Sequence, residues 1–97
     1  MDIMKFYEKY NLNKYEFGPI AGVGCKTLAK FAKGLEIRED SKARILKAMR
    51  IAEKYNLIRP EYDYGKALHW GNSYKNEFHR KVREYTEQFK RLIAEEV

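Results

Sequence analysis

Residues 14–34, Lys14-Tyr-Glu-Phe-Gly-Pro-Ile-Ala-Gly-Val-Gly-Cys-Lys-Thr-Leu-Ala-Lys-Phe-Ala-Lys-Gly34, decide the fold. The segment from Ala21 to Gly24 is too rich in glycine for a helix interior, where each glycine costs roughly 1 kcal/mol relative to alanine. The following residues, Lys26–Lys33, are strongly helix-forming and stop at Gly34, a residue type that commonly ends helices. The stretch therefore predicts two short helices that cross at a tight, glycine-containing turn.

Each position of this stretch has a predicted structural role. Gly18 is the small residue where the two helices touch, Gly22 lies in the turn, and Val23 fills the turn. The residues that face inward are predicted to be Phe17, Ala21, Leu28 and Phe31. The exposed face of the second helix is predicted to carry Cys25, Lys26, Ala29, Lys30 and Lys33.

The rest of the chain is also helical in pattern, so we predict an all-α fold. Apolar spacing of three and four predicts a helix over residues 2–10 and another from residues 39–41 to residue 55. Asn13 is a suitable N-cap for the helix after it, and Glu39-Asp40-Ser41 is expected to open the later helix with a cap and acidic first-turn charges. We expect a domain over residues 1–58, a connection over residues 59–72 and a long C-terminal helix over residues 73–97. Part of the connection is expected to pack through Tyr62, Tyr64, Leu68 and Trp70.

The C-terminal helix has the most regular pattern in the sequence. An apolar stripe recurs along it at steps of four and three, at Phe78, Val82, Tyr85, Phe89 and Leu92. Such a stripe either covers the core of its own chain or pairs with a second copy. Because the domain is small, we expect dimerisation, with packing within one chain as the alternative.

Composition and charge narrow the class of protein. The 97 residues carry a net charge of +6, with 12 Lys/Arg against 7 Asp/Glu in residues 1–58 and 8 against 7 in residues 59–97. A basic, folded segment is a candidate surface for phosphates. The sequence has no membrane-spanning run and no signal-peptide pattern, and its one cysteine cannot form an internal disulfide, so we expect a cytoplasmic protein.

Residues of about 3–57 resemble the Cro and lambda repressor-like (XRE-type) helix-turn-helix family. The resemblance is carried by Phe17-Gly18, Gly22-Val23-Gly24, Leu28 with Phe31, and Gly34, all at the spacing of that family. It implies sequence-selective binding of double-stranded DNA by a small transcriptional regulator, of the phage or prokaryotic repressor type. A homodimer reading two half-sites would suit this function.

The resemblance also implies which residues contact DNA. A recognition helix of about residues 25–33 would bring Lys26, Ala29, Lys30 and Lys33 to the bases. Phosphate contacts would come from Thr27, Arg38, Lys42 and Arg44.

Two positions depart from the family pattern. Gly24 replaces the usual Ser or Thr cap, and Pro19 lies where the first motif helix should continue, so that helix is either kinked or begins late.

The sequence fits other functions less well than DNA binding. The segment Gly18–Thr27 lacks the glycine directly before Lys-Thr that a phosphate-binding P-loop needs. His69 and His79 are too sparsely spaced for a metal site, and we expect no metal, no cofactor and no enzyme activity. The alternatives are a plain helical hairpin and a protein-interaction module, such as a phage-type inhibitor or antitoxin, using the aromatic residues Tyr62, Tyr64, Trp70 and Tyr74. Binding of single-stranded RNA ranks last.

Overall fold

The computed structural model describes residues 2–96, and this part of the chain forms six helices and no strand. The predicted all-α fold with a long C-terminal helix is confirmed. None of the helices in residues 2–96 is long and apolar enough to cross a membrane. The helices are α1 (Ile3–Tyr10), α2 (Lys14–Ala21), α3 (Cys25–Ala32), α4 (Glu39–Tyr55), α5 (Tyr64–Trp70) and α6 (Asn72–Glu95).

Side-chain caps define where the first two helices begin. The Asp2 carboxylate accepts a hydrogen bond from the Met4 backbone N–H at 2.9 Å, and Asn13 Oδ1 accepts from two backbone N–H groups at 2.9 and 3.0 Å. These bonds satisfy N–H groups that have no partner inside the helix. Because α2 begins at Lys14, Pro19 lies inside it, and the alternative of a late start is wrong.

The start of α4 has the predicted acidic residues in its first turn but lacks the predicted side-chain cap. Ser41 lies within the first turn, the N-cap position is occupied by Arg38, and no side chain caps this helix. Glu39 and Asp40 lie in the first turn, where their charges interact favourably with the positive end of the helix dipole. These charges support the helix start, so the helix can begin without a side-chain cap.

The core lies where α1, α2, α4 and the second half of α6 meet. Phe17 is fully buried, and its ring centroid lies 5.0 Å from that of Phe6 and 6.4 Å from that of Phe89. The buried side of α4 consists of Ile45, Ala48, Met49, Ile51 and Ala52, all 0 % exposed. Residues far apart in sequence therefore share one hydrophobic core.

Helix α6 folds back over this core in a single chain. Of the predicted stripe, Tyr85 and Phe89 are buried, and Leu92 packs against the core as a partly buried residue. Phe78 and Val82, in the first half of α6, are half-buried. The second half of the stripe is thus covered within one chain, without a second copy.

An extended segment, residues 57–60, fastens α6 to the first helices. The Tyr85 hydroxyl donates to the Leu57 carbonyl at 2.9 Å, and the Arg59 N–H donates to the Tyr10 carbonyl at 3.0 Å. The Arg59 side chain pairs with Glu16 of α2 at 2.8 Å. Burial raises the pKa of the Tyr85 hydroxyl; Arg59 opposes this rise and Glu16 adds to it. The start of the connection is therefore held in place.

Candidate nucleic-acid interface

The turn between α2 and α3 is tight and depends on two glycines. Gly22 adopts φ +79°, and its N–H donates to the Gly18 carbonyl at 2.8 Å, with the Val23 N–H donating to the same oxygen at 3.0 Å. A Cβ at Gly18 would lie 2.9 Å from the Val23 carbonyl oxygen and 3.5 Å from Leu28 Cδ1. Only glycine at position 18 allows this close contact with Val23 without a shift of the backbone. The contact therefore fixes the direction in which α3 follows α2.

Helix α3 has one buried face and one basic face. Leu28 is fully buried and Phe31 packs against the core as a half-buried residue, so these two side chains fix the rotation of the helix. On the other side Lys26, Lys30 and Lys33 are exposed, at steps of four and three that keep them on one face. Their arrangement presents three charged amines to the solvent side by side.

The remaining predicted residues of α3 are less accessible. Ala29 lies on the lysine face and is half-buried, as is Thr27 in the first turn. Gly34 adopts φ +75° just after the helix, where the Leu35 N–H donates to the Lys30 carbonyl at 2.9 Å. The helix therefore ends sharply, and Lys33 is the C-cap residue that follows Ala32.

The lysines of α3 are not neutralised within the part of the chain that the structure describes. No ion pair joins Lys26, Lys30 or Lys33 to a carboxylate of residues 2–96. Residues 25–33 contain no acidic residue. At the first turn of α3 no side chain caps the backbone N–H groups, which adds positive potential there.

The predicted phosphate contacts on α4 fall into different environments. Lys42 is exposed and forms no ion pair with the described residues, whereas Arg38 pairs with Asp40 at 3.3 Å. Arg44 Nη1 donates to the Gly22 carbonyl at 3.2 Å, so its side chain joins α4 to the turn between α2 and α3. Sequence reasoning missed this contact, because spacing along the chain does not show which arginine reaches a backbone carbonyl 22 residues away.

A second exposed surface lies on α5 and the first half of α6. Tyr62 packs edge-on against Phe78, with ring centroids 5.0 Å apart, but Leu68 is 88 % and Trp70 68 % exposed. The expectation that the connection packs in part through Tyr62, Tyr64, Leu68 and Trp70 therefore holds for Tyr62 and is wrong for the other three, since Tyr64 is exposed as well. None of the seven residues of α5 is buried, so this helix lies on the surface.

We use the name basic surface for Lys26, Lys30, Lys33 and Lys42, which are exposed and unpaired with described carboxylates. These amines can neutralise phosphates, and a helix such as α3 can lie in the major groove of a DNA duplex. In comparisons with known proteins the chain matches no family model, and neither the curated proteins nor the solved structures contain a significant match.

Proposed function

We propose that this protein binds double-stranded DNA through the basic surface, with α3 in the major groove. The observation that carries the proposal is the orientation of α3: Leu28 is fully buried while three lysines on the opposite face are exposed and unpaired with described carboxylates. A helix fastened by one face and basic on the other is suited to a polyanion. The role that we infer is that of a small transcriptional regulator of the repressor type.

The dimensions of α3 support this docking. An α-helix with its side chains is about 10–12 Å in diameter, and the major groove of B-DNA is about 12 Å wide, so a helix such as α3 fits the groove. The helix is held at both ends, by the tight turn after Gly22 and by the sharp stop at Gly34. A short, rigid helix of this kind can enter a groove without being reordered on binding.

The side chains on α3 favour affinity over strong base discrimination. A lysine can donate to guanine O6 and N7, but it also serves as a phosphate contact. The helix carries no Arg, Asn or Gln, whose planar side-chain groups make bidentate contacts with base edges. We therefore expect a modest sequence preference and a steep salt dependence. If all four lysines of the basic surface contact phosphates, the logarithm of affinity falls with the logarithm of salt at a slope of about −3.6.

Selection from a random duplex pool at about physiological salt, followed by sequencing, is the first experiment. Enriched duplexes then serve to compare the wild type with Lys30→Ala and with Lys75→Ala. Lys75 is an exposed lysine in the first half of α6, so its loss changes the net charge equally. We expect Lys30→Ala to weaken binding about tenfold and Lys75→Ala to leave it within twofold.

Two results would contradict the proposal. Equal loss in Lys30→Ala and Lys75→Ala would show that only total charge matters, and α3 would have no special place on the duplex. Recovery of no enriched sequence, with retention that vanishes as salt is raised, would show generic attraction to polyanions.

A further inference from the structure

An open cleft of about 550 Å³ lies between α5, the first half of α6 and the segment before α5. Its size is that of common ligand sites, which run from about 300 to 1,000 Å³. Trp70, the one tryptophan in the sequence, forms one wall of the cleft. The basic surface on α3 and α4 contributes no residue to this cleft.

The apolar walls of the cleft are aromatic and held in place. Tyr74 and Phe78 line it from α6, and Pro60 lines it from the opposite side. The Tyr74 hydroxyl accepts a hydrogen bond from the Asp63 N–H at 2.7 Å, which ties α6 to the segment before α5. The Phe78 ring already has a cation near one face, since the Arg59 guanidinium carbon lies 5.9 Å from its centroid. Aromatic faces of this kind attract cations.

The net charge of the residues that line the cleft is opposite in sign to the net charge of the whole chain. Three carboxylates line it, against the two ammonium groups of Lys66 and Lys81. Lys81 is paired with Glu77 at 3.5 Å. The other lining charges are Glu61, Asp63 and Lys66, so the lining has one net negative charge on a chain of net charge +6. Glu61 forms no ion pair within residues 2–96.

We propose that this cleft binds the cationic side chain, an alkylammonium or guanidinium group, of a partner protein. Aromatic walls with adjacent carboxylates provide both the π faces and the negative charge that such a group requires. The cleft is open to solvent along α6, so a side chain presented by another polypeptide can enter without any lid moving. The proposal is independent of DNA binding, because it uses no residue of the basic surface.

The test uses the full chain and the indole N–H of Trp70, which gives a single resonance in the ¹H–¹⁵N NMR spectrum. The probe is a capped tripeptide with lysine between two glycines, and the matched control has norleucine, an uncharged chain of similar length, in the lysine position. We expect the lysine peptide to shift the Trp70 signal with millimolar affinity, at least fivefold tighter than the norleucine peptide. Glu61→Gln should weaken binding of the lysine peptide at least threefold. Glu87→Gln, an exposed α6 carboxylate outside the cleft, should have no effect.

Each alternative outcome has a definite meaning. Equal shifts with lysine and norleucine would show an apolar cleft without cation selectivity and would overturn the proposal. So would a Trp70 signal that the lysine peptide does not move, or equal effects of the two glutamine substitutions. A Trp70 signal that moves on dilution of the protein alone, along the same line as in the titration, would identify a second copy of this chain as the occupant instead.

Discussion

Replacing Phe89 by alanine tests the way α6 is attached to the rest of the molecule. The Phe89 side chain is 0 % exposed, and its ring lies 6.4 Å from that of Phe17 and 5.9 Å from that of Tyr85. Removing a buried phenylalanine ring costs about 3–5 kcal/mol, because transfer free energy is lost and a cavity remains. A small domain has a total stability of only about 5–15 kcal/mol, so this one change removes a large fraction of it.

Thermal and urea unfolding followed by circular dichroism measure the loss. For a domain of this size each 1 kcal/mol lowers Tm by about 4–8 °C, so we expect Phe89→Ala to lower Tm by at least 12 °C. Leu68→Ala is the matched control, since Leu68 is 88 % exposed and its truncation should change stability by less than about 0.5 kcal/mol.

A loss below about 1 kcal/mol for Phe89→Ala would refute the packing of α6 on the core. The same stripe would then be free to pair with a second copy, as the sequence alone led us to expect. In that case the Tm of the wild type would rise with protein concentration, because association stabilises only the folded chain. A concentration-independent Tm together with a large loss in Phe89→Ala would establish packing within one chain.

Two further predictions concern the motif turn and the buried tyrosines. Gly18→Ala should lower the free energy of unfolding in urea by about 1 kcal/mol, because the added Cβ would lie 2.9 Å from the Val23 carbonyl oxygen and the cost of overpacking exceeds the gain in helix propensity from alanine. Gly24→Ser, whose Cβ has nothing within 4 Å, should leave the stability unchanged. Equal losses in the two variants would contradict this explanation. Burial raises the pKa of Tyr7 from 10.0 to about 12 and that of Tyr85 in the same direction, so the folded state holds these protons more tightly than the unfolded chain. The stability that these protons contribute is complete below pH 10 and is lost as the pH rises through 12. The urea midpoint of unfolding should therefore fall over this pH range, and it should fall less steeply in Tyr7→Phe. An identical fall in that variant would show that Tyr7 does not contribute to the pH dependence.

Local features of the fold could be predicted from the sequence because they depend on residues close together in the chain. The Asn13 cap, the turn at Gly22 and the helix end at Gly34 each follow from backbone preferences and capping chemistry of single residues. The burial of Leu28 opposite the lysines of α3 follows from the helical repeat. Lys26, Lys30 and Lys33 lie together on one face for the same reason, because they follow each other at steps of four and three.

Long-range contacts could not be predicted in the same way. Arg59 meets Glu16 across 43 positions of sequence, and the Tyr85 hydroxyl meets the Leu57 carbonyl across 28. An amphipathic stripe shows that one face of α6 is to be covered, but it does not show what covers it. The direction of α6 depends on these contacts, so a single sequence left packing and dimerisation open. The α5–α6 cleft was missed for the same reason, because Trp70 and Pro60 meet only in the folded chain.

The path of α6 connects the two proposed surfaces mechanically. Its 24 residues span about 36 Å, with the cleft along the first half and the core shared with α2 and α4 along the second. Phe89 lies against Phe17, one residue before the glycine that sets the α2–α3 turn. A partner held in the cleft would thus be carried at a fixed position relative to α3. Allosteric coupling needs an element with two discrete arrangements that both sites bias, and a continuous helix anchored in a packed core does not supply one. If both proposed surfaces are used, the architecture favours recruitment of a partner to DNA over control of DNA affinity by that partner.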